Sequence, residues 1–169
     1  MRKLILFSFF VVVALFAPYD GWTQERQKLH TPVITHAYAT DRGPYGTNWK
    51  IYIEAEDAGG DMNYVYVAVD QTGQGRSSPE RLILDPQHQS HLKAFVEWSR
   101  AGAGLAEGTH ITVRISIADR AGNVSNEVVF PFTFVSEASV QQDVPTPFSG
   151  INIPRVGYIG APHYEPGPS

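Results

Sequence analysis

From His110 to Ile117 the chain reads His-Ile-Thr-Val-Arg-Ile-Ser-Ile, with Ile111, Val113, Ile115 and Ile117 at every second position and polar residues between them. Side chains of a strand alternate between two faces, so this stretch can bury one side and wet the other, whereas a helix would scatter the same residues around its surface. Two more runs share the period. Trp49–Glu56 puts Trp49, Ile51, Ile53 and Ala55 on one side and Lys50, Glu54 and Glu56 on the other, and Leu92–Trp98 gathers Leu92, Ala94, Val96 and Trp98. Long helical periodicity is absent.

Further runs are less one-sided. In Tyr64–Val69 both faces are substantial, and Val65, Val67 and Val69 are expected inside because a buried tyrosine hydroxyl needs a partner. Near the end, Val128, Phe130, Phe132 and Phe134 are expected inward, while Pro131, lacking an N–H donor, assigns that strand to a sheet edge or a bulge. Pro32–Ala37 and Arg81–Leu84 are shorter candidates. Turn-forming clusters separate the runs: Asp57-Ala58-Gly59-Gly60-Asp61, Gln71–Gly75, the glycine-rich stretch Ala101–Gly108, and Asp119-Arg120-Ala121-Gly122-Asn123. Six or seven short strands with no helices between them predict two antiparallel sheets packed face to face.

The pattern occupies about residues 31 to 135, a length suited to one core. Ahead of it, Met1-Arg2-Lys3 and the apolar run Leu4–Ala17 have the layout of an export signal over residues 1–22, with an uncleaved anchor as the alternative. At 1.5 Å per residue that run rises about 21 Å, short of a hydrocarbon core of about 30 Å, so any membrane contact is expected through this segment alone. Behind it, residues 136–169 carry Pro145, Pro147, Pro154, Pro162, Pro166 and Pro168, suited to an extended or disordered tail. Phe148, Ile151, Ile153, Val156, Tyr158, Ile159 and Tyr164 give that tail enough apolar surface to dock on a partner or on its own domain. A formal charge of −4 with no run of Lys or Arg excludes nucleic acid as an expected partner. The absence of cysteine removes disulfides, thiolate metal sites and cysteine nucleophiles.

The run Ile115-Ser116-Ile117-Ala118-Asp119-Arg120-Ala121-Gly122-Asn123-Val124-Ser125-Asn126 resembles the penultimate strand, hairpin and last strand of bacterial immunoglobulin-like or fibronectin-type-III-like extracellular modules. That resemblance implies an all-β, immunoglobulin-like antiparallel β-sandwich of about seven strands. Such modules serve as spacers, adhesin segments and accessory domains, so the resemblance names no reaction. Without paired cysteines, the inter-sheet disulfide of antibody domains does not carry over.

Candidate chemistry is sparse. Asp57 and Asp61 in one turn and Asp119 and Asn123 in another could reach the same end of a sandwich and offer oxygens to calcium, although such residues also form turns unaided. His88 and His91 lack the acid and third ligand of a zinc hydrolase motif, and Ser99, Ser116 and Ser125 sit in no nucleophile elbow. No cofactor is expected. Asn123-Val124-Ser125 matches a glycosylation acceptor, a pattern that matters only in a host with that pathway. Tyr52, Tyr64 and Tyr66 are expected on outer sheet faces, where rings can stack on sugars or anchor a protein partner. The expectation is a non-catalytic binding or structural module, secreted, periplasmic or on the cell surface, with a protein or glycan partner at the cell envelope. A carbohydrate-binding module using its tyrosines is the first alternative, and a small secreted hydrolase or inhibitor the more distant one.

Overall fold

Where hydrophobic residues alternate, the chain forms strands, and the strands stack into two sheets. The computed structural model describes residues 30–44, 48–73, 75–98, 108–136, 143–149 and 152–160; the expected export segment lies outside them. The strands are β1 (Val33–Tyr38), β2 (Arg42–Pro44), β3 (Trp49–Glu56), β4 (Met62–Gln71), β5 (Gly75–Arg76), β6 (Glu80–Ile83), β7 (His91–Trp98), β8 (His110–Asp119), β9 (Val128–Val135) and β10 (Arg155–Ile159). One short 3-10 turn, Pro86–His88, is the sole helical element among the described residues.

The first sheet has the order β1-β3-β7-β10, and the second runs β2-β9-β8-β4, with β5 and β6 both pairing with β4. Successive strands β3 and β4 lie in different sheets, as do β7 and β8. This is the immunoglobulin-like way of wrapping one core between two sheets. The pairing is mixed, which corrects the wholly antiparallel expectation: β2 runs parallel to β9, and β10 runs parallel to β7. Both exceptions are short edge strands reached through connections long enough to return in the same direction.

The core is built from the faces that alternation nominated. Ile51, Ile53 and Ala55 of β3, Val65, Val67 and Val69 of β4, Leu92, Ala94 and Val96 of β7, and Val113, Ile115 and Ile117 of β8 are all buried. Each buried Val, Leu or Ile contributes about 1.5–3 kcal/mol relative to an exposed one. At one end the sheets meet through rings, with Trp49 4.4 Å from Phe132 and Trp98 6.3 Å from Phe134, centroid to centroid. The expected inward set of β9 holds fully for Phe132 and Phe134, while Val128 and Phe130 are half-buried. Pro131 lies opposite Thr112, before β2 joins at Thr133, so among the described residues β9 has no second neighbouring strand there.

Sequence reading ended the sandwich near residue 135; the structure adds a strand beyond it. Ile153 and Ile159 are buried, and β10 occupies the edge of β7. The same strand leans on β6: a Cβ on Gly157 would come 3.0 Å from the Leu82 side chain, and the Gly160 N–H donates to Glu80 Oε2 at 2.9 Å. Glycine is what lets β10 approach that closely.

Candidate functional site

The two acidic turns meet at one end of the sandwich. The Arg120 N–H donates to the Asp61 carbonyl at 3.1 Å, and Met62 pairs with Asp119. Each buried carboxylate is nevertheless engaged by its own turn. Asp57 accepts from the N–H groups of Gly59 (2.9 Å) and Asp61 (3.1 Å), and Asp119 accepts from the backbone N–H (2.8 Å) and side-chain amide (2.6 Å) of Asn123. Asp61 is left half-buried beside them. Burial, a hydrogen bond with Asp57 and the charges of Asp119 and Asp57 raise its pKa, against the opposing pull of Arg120. Among the described residues, no three His, Asp or Glu side chains are arranged to hold a metal ion. The Asn123 amide, the nitrogen of the glycosylation pattern, is the one bound to Asp119.

The tyrosines divide between the two outer faces. Tyr52 of β3 lies on the first sheet, across from Tyr38 of β1 and Phe95 of β7. Residues 143–149 cross this face. Phe148 is buried there with its ring 5.5 Å from that of Tyr52, and the Tyr38 hydroxyl donates to the Asp143 carbonyl at 3.2 Å. Burial, with Tyr38 close by, raises the pKa of Tyr52. Between this crossing segment and β10 runs a groove of about 730 Å³ with Lys50, Tyr52 and Phe95 as its floor.

Next to the groove, Glu97 is buried although it points to the outer side of its strand. Asn48 donates to its Oε1 at 2.7 Å and Arg155 of β10 to its Oε2 at 3.0 Å. Burial pushes the Glu97 carboxyl up, but those two hydrogen bonds and the charges of Arg155 and Lys50 outweigh it and hold its pKa below the usual carboxylate range. Arg155 also hydrogen-bonds the hydroxyl of Tyr158 and lies over that ring. Sequence reading gave no role to Glu97, because its lid comes from 58 residues further along the chain.

Tyr64 and Tyr66 lie on the outer face of the second sheet, with ring centroids 6.2 Å apart. Opposite them on β6 stand Ile83 and Arg81. The Arg81 guanidinium sits 4.7 Å from the Tyr64 ring centroid, and Ile83 is 73% exposed, the most open large apolar side chain among those described. The rings were visible in sequence. Ile83 was not singled out, because a strand of four residues does not say which of its faces is covered.

The remaining candidates have structural partners. His91 stands 3.6 Å from Glu54, which also faces His36 and Lys93 across the sheet, and His88 ends the 3-10 turn. Ser125 accepts from the Ile117 N–H and donates to the Asn126 carbonyl, tying the segment before β9 to β8. Ser116 faces outward beside Tyr66, and Ser99 lies outside the described residues.

No protein-family model matches the chain, and no curated protein matches it. Among solved structures it is similar to the CARDB domain of a Pyrococcus furiosus protein in complex with di-metal ions, at 14% identity and a TM-score of 0.37, over 64% of this chain and 96% of that one. It is also similar to the PKD domain of an M14-like peptidase from a Thermoplasmatales archaeon, at 15% identity and a TM-score of 0.38, over 62% and 92%. Likeness at that level carries nothing further, and the immunoglobulin-like fold rests on the strand order and pairing given above.

Proposed function

We propose that this chain is a non-catalytic, exported binding module of the fibronectin-type-III-like kind, which engages a protein partner at the cell envelope through the outer face of its second sheet. The observation that carries the reading is the cluster of Ile83, Tyr64, Tyr66 and Arg81 on that face. Aromatic and arginine side chains dominate the energetics of protein interfaces, and an exposed isoleucine at their side adds apolar area to bury. Three further points support it. The cationic and apolar N-terminal run has the layout of an export signal. The placement of β6 beside β4, giving the order β9-β8-β4-β6, supports the fibronectin-type-III-like variant. Serines and histidines that catalysis would need are scattered or held in structural contacts.

A protein partner is favoured over a glycan on this face because Arg81 already occupies one side of the Tyr64 ring, where a sugar would stack. The test is a photo-crosslinking residue at position 83 of the full chain, expressed in its exporting host. The reading expects one discrete protein adduct that disappears in the Tyr64→Ala, Tyr66→Ala double variant. Glycan-array binding that vanishes in the same variant would replace the protein reading with the carbohydrate one, and reproducible turnover of any substrate would overturn both.

A further inference from the structure

The groove on the first sheet lies on the opposite side of the sandwich from the proposed protein-binding face, and it has the build of a small-molecule site. Its volume of about 730 Å³ falls within the usual range of ligand pockets. Lys50, Tyr52 and Phe95 form its floor, with Phe148 on one wall and Ile153 and Arg155 on the other.

Two polar groups on that floor have no hydrogen-bond partner among the described residues. Lys50 makes no direct ion pair or hydrogen bond with any described residue; its ammonium rests 4.8 Å from the Phe95 ring centroid, and Glu97 feels its charge from a distance. The Tyr52 hydroxyl, on a half-buried ring, likewise has no hydrogen-bond partner among the described residues. Arg155 adds a second cation, fixed in place by Glu97, and Asp143 is the one carboxylate among the lining residues. Covering the ammonium and the hydroxyl with an apolar body would leave two donors desolvated, which is unfavourable. A carboxylate supplies acceptors for both and pairs its charge with the Lys50 ammonium. Beside those donors, the half-buried ring of Phe95 offers apolar surface for a ring.

We propose that the groove binds a small carboxylate with a ring as its body, the carboxylate meeting Lys50 and Tyr52 and the ring lying against Phe95. Sugar acids and aromatic acids share this chemistry. The full chain is titrated by calorimetry with D-galacturonate, phenylacetate and, as the uncharged counterpart, D-galactose. The proposal expects one or both acids to bind and galactose not to; which acid binds identifies the source of the carboxylate. Lys50→Met is expected to weaken that binding about tenfold and Tyr52→Phe about threefold, in line with the loss of a charged and of a neutral hydrogen bond. Both variants keep their bulk on a half-exposed face, so unchanged thermal unfolding verifies that the fold is intact, and Tyr52→Phe stands alone should Lys50→Met unfold. No binding of either acid up to about 10 mM, a concentration that still detects very weak ligands, would overturn the proposal. So would galactose binding as tightly as galacturonate, or variants that bind like the parent chain.

Discussion

Replacing Arg155 with Met removes the guanidinium that closes β10 onto β7 while keeping much of the side chain's apolar stem. Glu97, whose side chain is only 9% exposed, would keep Asn48 and the nearby charge of Lys50 but lose its charged hydrogen-bond donor. Breaking a fully buried pair costs about 3–5 kcal/mol, and a hydrogen bond to a charged group is worth about 1.5–3 kcal/mol. Because the Arg155 side chain is 43% exposed, solvent screens part of this and the expected loss is about 1–2 kcal/mol. The pH dependence has a definite sign. The Glu97 pKa is lowered on folding, so its contribution is present above the ordinary carboxylate pKa and is lost as pH falls through the lowered folded value. Urea unfolding followed by tryptophan fluorescence suits the measurement, since Trp49 and Trp98 are buried in the core. The variant should be destabilised by about 1–2 kcal/mol near pH 7 and by distinctly less near pH 2, well under the unperturbed glutamate value. An equal loss at both pH values would refute the electrostatic reasoning, and no loss at pH 7 would refute the docking of β10.

Three other outcomes follow from the packing. Asp61→Asn should raise stability at neutral pH: a carboxyl whose pKa is raised on folding stabilises in its protonated form, below the ordinary carboxylate pKa, and loses that advantage as pH rises through the folded value. Chemical denaturation across pH should therefore show the gain vanishing in acid. Phe148→Ala empties the ring buried over Tyr52 and should cost about 2–4 kcal/mol, toward the lower part of the range for core phenylalanine because the site is on an outer face; the same denaturation assay reads it. Gly122→Ala places a side chain at φ +88°, and about 1–2 kcal/mol of destabilisation is expected in thermal unfolding even though nothing lies within 4 Å to clash with it.

What the sequence discloses follows from how local each interaction is. The β3, β7 and β8 patterns were readable because each buries one face, and a slip of one residue would turn that whole face to water. The Asp119–Asn123 hairpin was readable because its hydrogen bonds close within five residues. The β10 strand was not. Gly157 interrupts its short alternation, prolines surround it, and its pairing with β7 spans about sixty residues in the parallel sense. Glu97 was hidden for the same reason, since an acid at an outward position becomes buried only when that distant strand covers it. The tyrosine surface was half legible. Alternation placed all three rings on outer faces, but the separation of Tyr52 from Tyr64 and Tyr66 depends on which sheet each strand joins and on where Phe148 lands.

The chain completes its own first sheet, with Arg155–Ile159 lying parallel to β7, and no described residue outside the second sheet's own strands is placed over Ile83 on its outer face. Amide hydrogen exchange of the full-length chain, read residue by residue by NMR, tests it most directly. Slow exchange is expected at hydrogen-bonded amides of β10 and at Phe95, whose N–H donates to the Pro154 carbonyl at 3.0 Å, together with cross-strand contacts between Gly157 and Val96. Rapid exchange throughout 152–160, with the Phe95 amide equally unprotected while β3 and β8 stay slow, would contradict it.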